Sequence, residues 1–349
     1  MSETAEQRAA PRTSPAGAPP SPAGPWAFLR RGSAAFLRQR EATVFVVAAV
    51  LFLYFTVSNP AFLTKTNMIV LTQDAAPIII IAIGEVFLLI CGEIDLSAGF
   101  TYAFAPFLMH YLIDFYGVPG LLAILLSLFM GVVVGWVNAF LTVTVGVPSF
   151  ITTLGTAFVL DGIMLTTSHA EPVSIPGPVQ GIGHWIGTYA WSMIIWAVVL
   201  VAIFHVVLTR TRWGLHTIST GGNITGAREA GIHVGRIKYG NFMLTGLLSA
   251  LVGLQVAFQT SSIDPSNGGF LAMFYAVTAA VIGGTAMLGG VGTVLGAFLG
   301  AAVIAILTNG FQIQGVSANP LYIIFGGAIL VAMIANVSLA RIRGEGSSR

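Results

Sequence analysis

The chain has 349 residues, 56% of them hydrophobic and only 8% charged, with a mean hydropathy of +0.88. Soluble domains carry about 25% charged residues, so this composition excludes a protein dissolved in water and points to an all-α polytopic membrane protein. The net charge of +2 says little as a sum, and the single cysteine, Cys91, excludes an intrachain disulfide and a cysteine-based metal site.

Taken in chain order, residues 1–25 are rich in Ala, Pro, Ser and Gly and are expected to be a disordered tail. In residues 26–41, Trp26, Phe28, Leu29, Phe36 and Leu37 alternate with Arg30, Arg31, Arg38 and Arg40, the pattern of an amphipathic helix lying on the inner leaflet. The first apolar run starts only at Ala42 and is long enough to span, which argues against a cleavable signal peptide. A span needs about 20 apolar residues. On that measure, spans are expected at 42–58, 68–90 (bent near Pro77), 96–113, 120–145, 148–166 and 186–208, filling 42–208. Residues 168–185, with His169, Glu171 and His184 among prolines and glycines, read as an external loop. Residues 209–238 form a polar island. Spans at 239–258, 270–282, 292–313 and 320–335 occupy 239–338, and 339–349 is a tail.

The island carries Arg210, Arg212, Arg228, Arg236 and Lys238, whereas Lys65 is the only basic residue between Glu41 and Arg210. No further cation occurs until Arg341. Basic residues in short loops mark the cytoplasmic side, so about ten spans would place the island and both termini in the cytoplasm. Two breaks resemble each other: Ile94-Asp95-Leu96-Ser97-Ala98-Gly99 after the second span and Ile263-Asp264-Pro265-Ser266-Asn267-Gly268 after the seventh. Paired interruptions at corresponding points suggest two five-helix halves of opposite orientation around a central pathway.

Within the island, Asn223 or Thr225 can cap a short helix over 226–230, and Gly231 can close it in the left-handed conformation. Arg228 and Glu229 would then be exposed, on either a plain connector or a docking element. Asp95 and Ser97 can cap the helix that follows them, or offer hydrogen bonds to a polyhydroxyl solute. Glu85 lies well inside the second span with no basic residue in the spans to neutralise it. It is therefore either protonated or facing a wet pathway, and the pathway is the expectation. Asp74 and Asp161 lie nearer span ends, and Asn138 reads as an interhelical hydrogen bond. Gly292, Gly296 and Gly300 make a small-residue ridge for close helix packing. The glycine-rich run 283–293 is no phosphate loop, because no Gly-Lys-Ser/Thr follows it. The histidines show no metal-ligand spacing, and no nucleophile–base constellation appears.

Four motifs carry a resemblance. Gly221-Gly222-Asn223 with Ala227-Arg228-Glu229-Ala230-Gly231-Ile232 resembles the cytoplasmic loop of the ribose/xylose-type permeases of bacterial ABC sugar importers. Gly92-Glu93-Ile94-Asp95-Leu96-Ser97-Ala98-Gly99 is similar to that family's Gly-Gly-Ile-Asp-Leu-Ser-Val-Gly, departing from it at Glu93, where the family has a small residue. Pro148-Ser149-Phe150-Ile151-Thr152-Thr153-Leu154-Gly155 and the glycine-rich run 282–293 also resemble it. The similarity extends from about Phe62 to Ala332.

The resemblance implies a type II ABC importer-like permease for a monosaccharide or polyol, with Ala227 to Ile232 as the helix that couples to a separate ATP-binding subunit. ATP and Mg would be bound in that partner and no cofactor in this chain. It further implies a second permease subunit, a homodimer being the expectation, and a periplasmic or lipid-anchored solute-binding protein. The setting would be the bacterial inner membrane, with no nucleic-acid partner. Glu85, Glu93, Asp95, Ser97, Phe150 and Thr152 are then the pathway candidates, although Phe150 and Thr152 also suit a helix packed on its neighbours. Two other readings stay open: an ion-coupled secondary transporter using Glu85 or Asp95, and an ABC permease for another solute, such as a branched-chain amino acid or a furanosyl signalling molecule.

Overall fold

The computed structural model describes residues 40–316 and isolated helical positions at 323, 326, 327 and 330. The expected tail 1–25, most of the amphipathic helix 26–41, the span 320–335 and the tail 339–349 lie outside the described residues. What is described is predominantly helical. The long helices are α1 (Arg40–Ser58), α2 (Lys65–Ile90), α3 (Ala98–Asp114), α4 (Gly120–Ala139, continuing as a π-helical turn to Val145), α5 (Ser149–Ser168) and α6 (Ser192–Arg210). Two shorter helices, α7 (Arg212–Gly222) and α8 (Ile224–Glu229), precede α9 (Val234–Thr260), α10 (Gly269–Ile282) and α11 (Val294–Ile313). Seven of these are long and apolar enough to cross a membrane: α1, α2, α4 with its extension, α5, α6, α9 and α11.

Burial sorts the helices into central and peripheral. Of the most apolar stretch of α2, 83% is buried, and of α9, 72%, against 22% for α1 and 28% for α5 and α6. The two central helices pack on each other, α9 also on α3 and α4, and α2 also on α10 and α11. Lipid tails remove the hydrophobic incentive for this contact, so close backbone approach supplies it. A Cβ on Gly131 of α4 would fall 2.3 Å from Gly246 O of α9, and one on Gly246 would fall 2.0 Å from Gly131 O. On the ridge, Gly296 and Gly300 press α11 onto α10, with Cβ positions 2.0 Å from Gly283 O and 2.1 Å from Ala279 O. Gly292 precedes α11 and packs instead on Ile90.

The 17-residue α3 and the 14-residue α10 are shorter than the other membrane helices. At 1.5 Å per residue they reach roughly 25 and 21 Å, less than a hydrocarbon core of about 30 Å. Each follows one of the two look-alike breaks. In both breaks the same turn forms: Asp95 Oδ1 accepts from Ser97 N (2.9 Å) and Ser97 Oγ (2.6 Å), and Asp264 Oδ1 accepts from Ser266 N (2.8 Å) and Ser266 Oγ (2.7 Å). The breaks also touch. A Cβ on Gly99 would overlap Gly269 O at 1.9 Å, and one on Gly268 would lie 2.4 Å from Gly99 O.

Some expected boundaries are corrected. The sixth span begins at Ser192 rather than 186, because residues 184–188 wind as a π-helical turn that lays Gly187 on Gln255 O. Part of the preceding loop pairs as a short strand, β1 (Val173–Ser174), with β2 (Ser262–Ile263). The seventh span begins at Val234 rather than 239, which takes residues 234–238 out of the island. Val234, Ile237 and Asn241 recur on one buried face there, a helical period hidden under a basic composition. The rest of the island is mostly helical too. Along α2 the helix runs unbroken through Pro77.

Candidate functional site

The island begins with α7, whose Thr211 Oγ1 accepts from Gly214 N at the N-cap (3.4 Å). This helix is seated between the end of α2 and the start of α9. Trp213 Nε1 donates to Asn241 Oδ1 (2.9 Å), and Asn241 Nδ2 donates to Phe87 O (3.1 Å) and lies 3.3 Å from Cys91 Sγ. Gly221 rests against the Ile90 carbonyl, which also accepts from Gly290 N (2.8 Å) in the glycine-rich run. Cys91 is buried, as a small side chain at this junction.

Helix α8 follows at once. Asn223 Oδ1 accepts from Gly226 N (2.8 Å) as its cap. At the other end Gly231, with φ +81°, donates to Arg228 O (3.0 Å), and Ile232 N donates to Ala227 O (2.9 Å). This pair of bonds is a Schellman closure, which needs the left-handed residue that glycine supplies without strain. Ala227 is buried and Ile232 half-buried, while Arg228, Glu229, Ala230 and Gly231 are exposed. The outcome is a short, rigid element with a polar outer surface.

The end of α2 closes in the same way: Gly92, at φ +73°, donates to Leu89 O, and Glu93 N donates to Leu88 O (3.0 Å). The chain then runs non-helically to Ser97. Irregular backbone at membrane depth is tolerated only inside protein or beside a cavity, and both conditions hold here. Ile94 N and Leu96 N donate to Ser149 Oγ (3.4 Å) and Thr153 Oγ1 (3.0 Å) of α5. On its other side the break borders a cavity of about 440 Å³, whose walls include Glu93, Ile94, Phe150, Phe274, Thr278 and Met287.

Among the pathway candidates, Glu93 and Phe150 line this cavity, and Phe150 is exposed at 56%. Asp95 and Ser97 do not. They form a buried polar cluster with Asn138, whose Nδ2 donates to Ser97 Oγ (2.8 Å) and approaches both Asp95 oxygens (3.3 and 3.4 Å), and whose Oδ1 accepts from Thr156 Oγ1 (2.7 Å). Asn138 thus makes an interhelical hydrogen bond. Ser97 stands at the N-cap of α3, but its side chain makes no cap bond because the hydroxyl is turned onto Asp95. Glu85 is fully buried, away from the cavity wall, with the Asp95 backbone as a polar neighbour and no side-chain hydrogen-bond partner among the described residues. Thr152 is buried with its hydroxyl likewise unpartnered.

One contact at the cavity has no counterpart in the sequence pattern. Lys238, taken there as one of five island cations, is ion-paired with Glu93 at the cavity wall. The available signals were the scarcity of lysine, found only at 65 and 238, and the unexpected acid at 93. Met273, Phe274, Thr278 and Met287 of the wall carried no signal beyond apolar composition.

Comparison with known proteins agrees with this architecture. Residues 67–334 match the family described as branched-chain amino acid transport system, permease component. Among curated relatives, the chain is 36% identical over 304 residues to the xylose/arabinose import permease of Sulfolobus acidocaldarius, covering 85% of each chain. It is 33% identical over 322 residues to a probable ABC transporter permease of Escherichia coli (90% of this chain, 96% of the relative). It is also 32% identical over 292 residues to the ribose import permease of Bacillus subtilis (82% and 89%). No solved structure matches. With seven helices able to span and most of its length matched, the chain belongs to this family of multi-pass transport permeases and is a transporter subunit, not an enzyme.

Proposed function

We propose that this chain is the membrane subunit of a bacterial inner-membrane ABC importer for a monosaccharide or related polyol. The observation that carries the reading is the exposed, doubly capped helix α8. It stands on a scaffold that joins it through α7 to the end of α2, beside the cavity. Such an element can receive force from outside the chain and hand it to the pathway. The printed names of several relatives, which are xylose/arabinose, ribose, fructose and galactose import permeases, favour a sugar over a branched-chain amino acid.

In this reading Ala227 to Ile232 dock on an ATP-binding subunit, where ATP and Mg are bound. Two copies of the permease enclose a central pathway, and a solute-binding protein delivers the sugar from outside. The island and both termini are cytoplasmic. Phe150 faces the solute from the cavity wall that it shares with Glu93, while Asp95, Ser97 and Asn138 brace the break behind them. An arrangement of about ten helices in two five-helix halves of opposite orientation is supported by the matching Asp-x-Ser turns, by their mutual contact at Gly99 and Gly268, and by the central pair α2 and α9.

Co-purification with the ATP-binding subunit tests the docking role. Glu229→Arg reverses an exposed charge that makes no side-chain hydrogen bond or ion pair among the described residues, so membrane insertion should be normal, while co-purification and solute-stimulated ATPase fall about tenfold. Retention of both activities by this variant would reduce the island to a connector.

A further inference from the structure

An ion pair outside the proposed docking and pathway contacts joins the two ends of the proposed machine. Lys238 Nζ donates to Glu93 Oε1, and the two side chains are only 14% and 12% exposed. Of the five cations between Arg210 and Lys238, the four arginines are exposed at the surface, and Lys238 alone is turned inward. Lys238 lies in the opening of α9, seven residues after the Gly231 that closes α8, with only Ile232 and His233 between that glycine and the helix. A displacement of α8 therefore reaches Lys238 through the short closure at residues 230–233 and the first turn of α9. At the other end, Glu93 directly follows the closure of α2 and forms part of the cavity wall.

The physics of such a pair depends on its surroundings. The attraction between opposite charges scales inversely with the local dielectric. With a dry, closed cavity the pair is strong, and separating it leaves two uncompensated charges out of water. With the cavity opened to water both groups are hydrated and little holds them together. A contact of this kind has two states, set by whether the cavity beside it is open.

We propose that Lys238 and Glu93 form a latch that closes the island-side end of the cavity and is released when α8 is displaced. The inference rests on the importer reading, and it adds the element that converts movement of α8 into opening of the pathway. Release here is a change of contact, with no bond made or broken.

The test uses the permease reconstituted with its ATP-binding subunit and solute-binding protein. Absence of ATP-driven uptake by the unmodified complex would reject the importer reading itself, before the latch is at issue. Given uptake, Glu93→Gln, Lys238→Met and the double variant should each raise solute-independent ATPase and lower solute imported per ATP by about fivefold or more. The exchange Glu93→Lys with Lys238→Glu should recover much of the ratio. An unchanged ratio in the double variant overturns the latch. So does a rise in KM with the ratio intact, which would make Glu93 a solute ligand.

Should the single variants fail to assemble, the double variant, which leaves no unpaired charge, carries the comparison. A measurement on the unmodified protein complements both. Because lysine occurs only at 65 and 238, a small amine-reactive reagent followed by peptide mapping reads each separately. Labelling of Lys238 should differ by about fivefold or more between nucleotide-free and vanadate-trapped complex, with exposed Lys65 as an invariant reference. Equal labelling of Lys238 in the two states overturns the proposal.

Discussion

Gly221→Ala should undock the island from the membrane helices, against the usual trend for that substitution. Alanine normally stabilises a helix relative to glycine by roughly 0.5–1 kcal/mol, and Gly221 lies in α7. Its Cβ, however, would fall 1.5 Å from Ile90 O and 2.6 Å from Gly290 N. A carbon rests comfortably no closer than about 3.3 Å from a carbonyl oxygen, so α7 must withdraw by roughly 1.8 Å. If α7 stays docked instead, the methyl wedges into the Gly290 N–H to Ile90 O bond, worth about 1 kcal/mol net. Overpacking adds about 1–3 kcal/mol. The docked position of α7 should thus lose roughly 2–4 kcal/mol, a factor of about 30 to 700 in its equilibrium.

Gly222→Ala supplies the control. It changes the neighbouring residue of the same helix, and its Cβ meets nothing within 4 Å. Hydrogen–deuterium exchange of the amides of residues 212–222 in nanodiscs reads the difference directly. Exchange should accelerate strongly in Gly221→Ala and stay at or below the unmodified rate in Gly222→Ala. Equal protection in the two variants would refute the idea that the island is seated through a backbone-to-backbone contact at Ile90.

Two further predictions concern the buried polar groups. Asn138→Leu removes the donor used by Ser97 and Asp95 and the acceptor used by Thr156. A loss of about 2–3 kcal/mol should lower the thermal midpoint of the detergent-solubilised protein by several degrees, and an unmoved midpoint would contradict the bracing role of the cluster. Glu85→Met replaces a fully buried acid without a side-chain hydrogen-bond partner among the described residues with an apolar side chain of similar length. It should raise the midpoint, by about 1–3 kcal/mol of stability. A lowered midpoint would show that Glu85 is satisfied by a group the contacts above do not include.

The helices were readable where apolar length alone decides. The runs at 42–58, 120–145 and 292–313 needed nothing but hydropathy, and the structure begins or ends them within a few residues. Helix α8 was readable for a different reason. Asn223 and Gly231 are cap residues whose preferences are local, so the chain near them determines the turn without help from the rest of the fold. Residues 234–238 and 186–191 were misread because composition was weighed over contact. Val234 and Ile237 are inward-facing among cations, and Gly187 winds into a turn imposed by Gln255 across the fold.

The site was readable only in part. Glu93 and Phe150 stood out as an acid and an aromatic in a motif, yet nothing local says that Phe274 and Thr278 of α10 and Met287 of the following glycine-rich run come to face them. The partner of Glu93 lies 145 positions away, and no periodicity relates the two. Glu85 shows the opposite limit. Its chemistry was conspicuous in the sequence, but whether it faced water depended on the packing of α2, which buries it completely.

The most direct measurement is solute uptake into liposomes holding the permease with its ATP-binding subunit, supplied with solute-binding protein on the receiving face. ATP should drive accumulation of a pentose or hexose whether or not ion gradients are collapsed by ionophores, and vanadate should abolish it. A branched-chain amino acid should neither accumulate nor compete. Accumulation that needs no ATP and follows a proton or sodium gradient, or that favours leucine over every sugar offered, would contradict the account.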